Sequence, residues 1–179
     1  MAVYNDVRGW QNKAFAGRGE FALELGDYTV EITVPADHVV GATGELQNSG
    51  SVLSKTQRKR MEQAMNSQEP VFIVNREEAE ENLKEGTSKT RTWVFEAENV
   101  RDFAFATSRR FVWDAMVTES DGKKVLCMSY YPPEAEPLWF RYSSQAVAHT
   151  VEVYGRLTFP YPYPVAISVN GPIGGMEYP

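Results

Sequence analysis

The sequence predicts a β-rich α+β fold, because strand patterns outnumber helical ones along its 179 residues. In several segments apolar and polar side chains alternate with a period of two, which is typical of half-buried strands. Aromatic residues make up 12% of the chain, and such residues favour strands and bury large areas. One long segment after Pro137 repeats apolar residues at helical spacing instead, so a substantial helix is expected beside the strands.

Strand patterns dominate the first part of the chain. Residues 20–34 predict two strands with a break at Gly26-Asp27, and Pro35 ends the second one because proline cannot donate to a ladder. Residues 38–46 predict a third strand, with bends or bulges at its two glycines. The alternating apolar residues of the second strand are Tyr28, Val30, Ile32 and Val34.

Two helices and a short strand follow. A helix over about residues 54–67 begins at Ser54, which is a good N-cap residue. Residues 71–74 predict a short apolar strand. Asn75 then caps a second helix that runs to Lys84, and the glutamates in its first turn suit the positive end of the helix dipole.

Four more strands, a hairpin turn and a long helix come next. Asp121-Gly122 predicts a tight hairpin turn before the last of these four strands. Helical periodicity predicts a helix over residues 138–157, and residues 165–169 predict a further strand. The four strands are expected over residues 90–97, 103–107, 111–117 and 125–131.

The pattern changes near Pro132, and we expect a domain boundary there. Residues 1–132 are mostly strands with two short helices, whereas residues 133–179 contain one long helix and about two strands. A unit as small as the second one buries too little surface to hold a core alone. It is therefore expected to need more chain in order to fold.

Charge and composition exclude two classes of partner. The net charge is −6, and no basic footprint of the kind that nucleic-acid binding needs is present. No apolar run approaches the ~20 residues that span a bilayer. The single cysteine, Cys127, rules out an intrachain disulfide, and its apolar strand pattern predicts a buried, inert thiol.

No metal site is expected within the chain itself. A zinc site needs three protein ligands with set spacing, commonly including a histidine pair, and the sequence lacks H-E-x-x-H. His149 lies three residues before Glu152 on a predicted helix, and His38 is distant in sequence. We interpret both histidines as structural or surface residues. Nucleophile elbows, P-loops and dinucleotide-binding glycine motifs are absent too.

The last residues combine glycines with a carboxylate. Gly174 and Gly175 follow a predicted strand and let another backbone approach closely. An edge strand of this sort can pair with an extended peptide, and Glu177 could then hold a cation at the end of that peptide. Without further context, Gly-Gly-Met-Glu is usually a loop.

In the order of its motifs the chain resembles the aminopeptidase N-like zinc metallopeptidases, the gluzincins. Gly174-Gly175-Met176-Glu177-Tyr178 resembles their G-x-M-E-N exopeptidase motif, with Tyr178 in place of the usual Asn. The helix over residues 138–157 resembles the first helix of their thermolysin-like catalytic domain. Trp93-Val94-Phe95-Glu96-Ala97 resembles the end of their N-terminal β domain, and residues 2–10 and 28–35 also resemble that domain.

The resemblance implies both a fold and an activity. It implies an antiparallel β-sandwich-like portion of an N-terminal domain in residues 1–132, then the first helix and strands of a thermolysin-like catalytic domain in residues 133–179. The parent protein would be a zinc-dependent aminopeptidase that removes N-terminal residues from peptides. Its zinc ligands, general base and catalytic tyrosine would follow Pro179, so this chain alone would bind no zinc and be inactive.

For the residues that are present, the resemblance implies substrate recognition. Glu177 matches the position that binds the free α-amine of the peptide substrate, and Gly174, Gly175 and Met176 would form the strand beside it. Surfaces meant to face missing domains would expose apolar area and promote self-association.

A second interpretation is a complete, non-enzymatic β-rich module that binds a peptide or a protein partner through its aromatic surface. The absence of catalytic residues favours it, whereas the incomplete second unit and the ordered resemblance oppose it. Whether residues 133–179 fold without more chain discriminates between the two.

Overall fold

The computed structural model describes residues 3–5, 7–11, 25–84 and 86–172, and within them it confirms the β-rich α+β fold. The predicted strand before Gly26 and the sequence from residue 173 onward lie outside these ranges. The strands are β1 (Val3–Asn5), β2 (Gly9–Gln11), β3 (Gly26–Pro35), β4 (Val39–Ala42), β5 (Glu45–Leu46), β6 (Val71–Val74), β7 (Thr90–Val100), β8 (Phe105–Ser108), β9 (Val112–Ser120), β10 (Lys123–Tyr131) and β11 (Val165–Val169). The α-helices are α1 (Ser49–Val52), α2 (Lys55–Ala64), α3 (Arg76–Lys84) and α4 (Leu138–Leu157).

The strands form one four-stranded sheet and three smaller ones. The four-stranded sheet has the order β11-β10-β9-β6, and the three-stranded sheet has the order β3-β7-β5. In the two remaining sheets β4 pairs with β8, and β1 pairs with β2. All pairs are antiparallel except β10 and β11, which run parallel. A parallel pair needs a crossover connection, and α4 lies in the one between these two strands.

Side-chain alternation in β3 and β7 follows the prediction from the sequence. In β3, Ile32 and Val34 are buried while Thr33 between them is exposed. In β7, which pairs with β3 along its length, Trp93 and Phe95 are buried. These residues form part of the main core together with the inward faces of β6, β9 and β10.

The prediction of one strand over residues 38–46 is wrong, because the chain changes sheets at Gly44. β4 pairs with β8, whereas β5 pairs with β7. Gly44 has a φ of +88°, and a Cβ at this position would lie 2.1 Å from the carbonyl oxygen of Glu96. Only glycine fits at this position, where the chain passes from one sheet to the other. Gly44 therefore lies in the break between β4 and β5 and not in a bend within one strand.

Both predicted helix starts are confirmed by their hydrogen bonds. Ser54 Oγ accepts from the N–H of Gln57, and Gln57 Oε1 accepts from the N–H of Ser54, which together make a capping box. Asn75 and Glu78 exchange the equivalent pair of bonds at the start of α3. The single turn of α1 was not predicted.

The hairpin between β9 and β10 turns at Asp121-Gly122 as predicted. Both residues have positive φ, 51° and 71°, which is the backbone geometry that a type I′ hairpin turn requires. The turn fixes a register in which Trp113 lies opposite Tyr130. These two rings stack with centroids 5.2 Å apart, so the hairpin contributes a large aromatic surface to the core.

The long predicted helix and the strand after it pack on the sheet that the hairpin forms. α4 contacts β9, β10 and β11, and its buried Ala148 and Val151 cluster with Met116, Cys127 and Ala166. Elements from both sides of residue 132 therefore share this packing, and the division of the chain there stays a prediction. Across the described ranges, no helix combines the length and apolar character that a membrane crossing needs.

Candidate functional site

The four-stranded sheet ends at β11. Of the described strands and helices, β11 is nearest in sequence to Glu177, the residue predicted to bind the α-amine of the substrate. β11 pairs with β10 from Val165 opposite Leu126 to Val169 opposite Tyr130. The N–H of Asn170 continues this pairing by donating to the Tyr130 carbonyl oxygen at 2.8 Å. β11 is an end strand of its sheet, and within the described ranges no strand pairs with its outer edge.

A row of polar residues crosses the sheet beneath α4. Asp114 on β9 lies opposite Ser129 on β10, and Ser129 lies opposite Ser168 on β11. On α4, Ser144 is one of the residues that the helix buries. The register of the three strands and the packing of α4 on the sheet therefore bring together one carboxylate and three hydroxyls from four separate elements.

These groups form one hydrogen-bonded network. Ser144 O–H and Tyr131 O–H both donate to the Asp114 carboxylate. Ser144 Oγ lies 3.0 Å from Ser129 Oγ, which lies 2.8 Å from Ser168 Oγ. Each hydroxyl carries a single proton. Ser144 therefore donates either to Asp114 or to Ser129 at any one time, and between Ser129 and Ser168 either hydroxyl can be the donor.

Burial sets the electrostatics of the network. Asp114 is 1% exposed, and burial raises the pKa of its carboxyl to about 6, although the hydrogen bonds from Ser144 and Tyr131 oppose the shift. Burial and the nearby carboxylate both raise the pKa of Tyr131. The tyrosine therefore remains a protonated donor, and no described cation forms a salt bridge with Asp114.

An open apolar groove of about 940 Å³ lies between α4 and β11. Ser168 lines it, so the polar network ends at the groove wall. Tyr161, which donates to the Val165 carbonyl oxygen at 2.9 Å, also lines the groove. Large apolar side chains of the groove are more than half exposed at Leu138, Tyr154 and Phe159.

The cysteine is buried as the sequence predicted, and the histidines do not converge with it on a metal site. Cys127 is fully buried, and burial raises the pKa of its thiol to about 12, so the thiol is unreactive. His38 Nδ1 shares a hydrogen bond with Thr107 Oγ1 at 2.9 Å, and His149 is exposed on α4. Within the described ranges, no three His, Cys, Asp or Glu residues cluster closely enough to hold a metal ion.

The predicted substrate-binding residues are outside the described part of the chain. Gly174, Gly175, Met176 and Glu177 follow β11 after Pro172, where the described residues end. The structure therefore shows the strand and the groove that precede them in sequence.

The Asp114 network was not predicted from the sequence, although one signal for it was present. Asp114 interrupts an otherwise apolar run in β9, Val112-Trp113-Asp114-Ala115-Met116. A carboxylate in such a run must have buried partners, because an unpaired buried charge is very costly.

Comparisons with protein families and with curated proteins identify no relative from which to assign a function. The chain matches no protein-family model, and no curated protein shows a significant match.

Proposed function

We propose that this chain is part of a zinc-dependent aminopeptidase and that it recognises the free α-amine of a peptide substrate. The observation that carries the proposal is that Gly174-Gly175-Met176-Glu177 follow β11, an end strand of the sheet, within a few residues in sequence. An extended peptide can add to an end strand through backbone hydrogen bonds. A carboxylate at one end of such a site then fixes where the peptide begins.

The chemistry of Glu177 suits this role. A carboxylate and an ammonium group form charge-assisted hydrogen bonds, which are stronger than neutral ones. Such a contact at the peptide terminus sets the register of the bound chain, so that one peptide bond is held at a fixed place. The role assigned to this chain is therefore binding and positioning of the substrate.

The described residues do not fit a zinc ion, so no catalytic step is assigned to them. A catalytic zinc needs three protein ligands. Of the two histidines in the chain, His38 pairs with Thr107 and His149 is exposed on another element. The proposal expects the ligands in residues that are encoded after Pro179.

The reading frame of the gene beyond the codon for Pro179 tests the proposal. We expect H-E-x-x-H within a few dozen codons, followed by a further glutamate. The polypeptide extended through that motif should bind zinc and hydrolyse amino-acid anilides, whereas the 179-residue chain should do neither. Zinc-dependent turnover by the 179-residue chain itself would contradict the assignment of the ligands.

Peptide binding without catalysis is the second candidate function, and the apolar groove favours it. Apolar pockets of this volume accommodate ligands of drug size, which is also the size of a short peptide segment. A stop codon directly after Pro179, together with saturable binding of peptides by the 179-residue chain, would support this function over the first.

The exposed groove also leads to a prediction about association. We expect the 179-residue chain to self-associate as its concentration rises, because contiguous exposed apolar surface drives association. Phe159 lines the groove and is 70% exposed, so Phe159→Glu should shift the chain toward the monomer in sedimentation velocity experiments. Leu157 is 74% exposed but does not line the groove, and Leu157→Glu is the matched control. A wild-type chain that remains monomeric at every concentration would contradict this prediction.

A further inference from the structure

A second, much smaller cavity lies between the sheets and shares no lining residue with the groove. Its volume is about 70 Å³. Trp93 on β7 and Trp113 on β9 line it, and so does Asp37 in the connection between β3 and β4. The cavity therefore lies where the two sheets, the segment before β4 and the helices α1, α2 and α3 meet, and the polar side chains of Gln57, Asn82 and Arg91 also line it.

Four polar atoms of these residues are buried and have no hydrogen-bond partner among the residues that the structure describes. They are both carboxylate oxygens of Asp37 and the indole nitrogens of Trp93 and Trp113. Each of the two tryptophans is only 2% exposed. Arg109 lies 3.5 Å from Asp37 Oδ2 and offsets its charge, but this contact does not satisfy either oxygen as a hydrogen-bond acceptor. Native proteins seldom leave buried polar groups without a hydrogen-bond partner, and ordered water commonly supplies the missing hydrogen bonds.

The chemistry of the four atoms restricts what can fill the cavity. The indole groups only donate hydrogen bonds, and an ionised carboxylate only accepts them. A metal cation cannot accept from the indoles, and a simple anion cannot donate to Asp37. Water does both, and its share of liquid volume is about 30 Å³, so the cavity has room for about two molecules.

We propose that ordered water fills this cavity and bridges the Asp37 carboxylate to the indole N–H groups of Trp93 and Trp113. Water oxygens accept from the two indoles, and water hydrogens donate to the carboxylate oxygens. The bridge adds polar contacts between the two sheets, whose apolar side chains pack together in the main core. Water held in this way makes about three hydrogen bonds to protein groups, so it is expected to exchange slowly with bulk solvent.

Magnetisation transfer between water and the indole N–H groups of the isotope-labelled 179-residue chain tests the proposal. Assignment of the tryptophan signals from triple-resonance spectra makes the test independent of any variant. At Trp93 and Trp113 we expect cross-peaks to water of opposite sign in the NOE and ROE spectra, which identifies dipolar contact with bound water rather than proton exchange. A folded chain without such cross-peaks at either indole would overturn the proposal.

The carboxylate's part in the bridge is tested separately. Asp37→Leu removes both acceptors and keeps the branched shape of the side chain, and the water cross-peaks at both indoles should fall by at least half. Asp37→Asn keeps one acceptor and is the matched control, with cross-peaks closer to wild type. Unchanged cross-peaks in a folded Asp37→Leu chain would overturn the bridging role. If Asp37→Leu does not fold, Asp37→Ala takes its place, and unchanged cross-peaks at both indoles in the folded alanine variant would overturn the bridging role.

Discussion

Replacing Asp114 with alanine is expected to lower the free energy of unfolding at pH 7 by roughly 3 kcal/mol, because two buried donors lose their acceptor. Tyr131 O–H and Ser144 O–H both donate to this carboxylate, and each orphaned buried donor costs about 1–3 kcal/mol. Loss of the carboxylate offsets part of that cost, since an ionised group is itself costly to bury. Urea-induced unfolding measures the difference.

Two further variants separate the network from simple packing. Asp114→Asn keeps one oxygen acceptor in nearly the same volume, so it should lose less stability than the alanine variant. Ser168 lies at the groove end of the network, where water can replace its partner, and Ser168→Ala should cost about 1 kcal/mol or less. Equal losses of stability in Asp114→Ala, Asp114→Asn and Ser168→Ala would show that the hydrogen bonds to Asp114 do not determine the loss.

The same carboxyl group makes stability depend on pH. Burial raises the pKa of Asp114 from its ordinary 3.8 to about 6 in the folded protein. The folded state therefore holds this proton more tightly than the unfolded chain, and the free energy of unfolding falls as the pH rises from about 4 to about 6. Compared with Asp114→Asn, which cannot titrate, wild type should gain roughly 3 kcal/mol on acidification across this window. A difference that is constant with pH would contradict the raised pKa.

The elements that could be predicted from the sequence are those whose causes are local. The capping residues Ser54 and Asn75 bond to groups three positions along the chain, and Asp121-Gly122 sets its turn by its own backbone conformation. The periodicity of α4 and the alternation in β3 likewise arise within one element. Such signals are complete within a short window of sequence.

The Asp114 network depends instead on how distant elements pair, and no short window contains that information. Ser129 meets Asp114 only because of the hairpin register, and Ser168 joins them only because β11 pairs in parallel with β10. The strand break at Gly44 is missed for the same reason, since the group that forbids a side chain there is the carbonyl of Glu96, 52 positions further on. The local sequence pattern shows that Asp114 and Gly44 are unusual residues for their strands. Only the pairing of distant strands explains the need for a carboxylate at one position and for glycine at the other.

The proposed function leads to the other large effect, which concerns Glu177. In the polypeptide extended through the zinc motif, Glu177→Ala is expected to lower kcat/KM for a free-amine substrate by about 100- to 4000-fold. Removing one partner of a desolvated charge pair costs roughly 3–5 kcal/mol, and each 1.4 kcal/mol corresponds to about tenfold. Glu177→Gln keeps the size of the side chain but not its charge, so most of the loss should remain.

The choice of substrate decides whether Glu177 acts through the amine. An N-acetylated substrate has no ammonium group, so its slow hydrolysis should be almost unchanged by Glu177→Gln, and the preference for free amines should fall. Glu98→Gln, at an exposed position on β7, controls for the loss of one carboxylate elsewhere in the chain. Equal losses on both substrates would indicate a structural role. A loss confined to free amines is what an anchor must produce, because the charge it pairs with is present on only one of the two substrates.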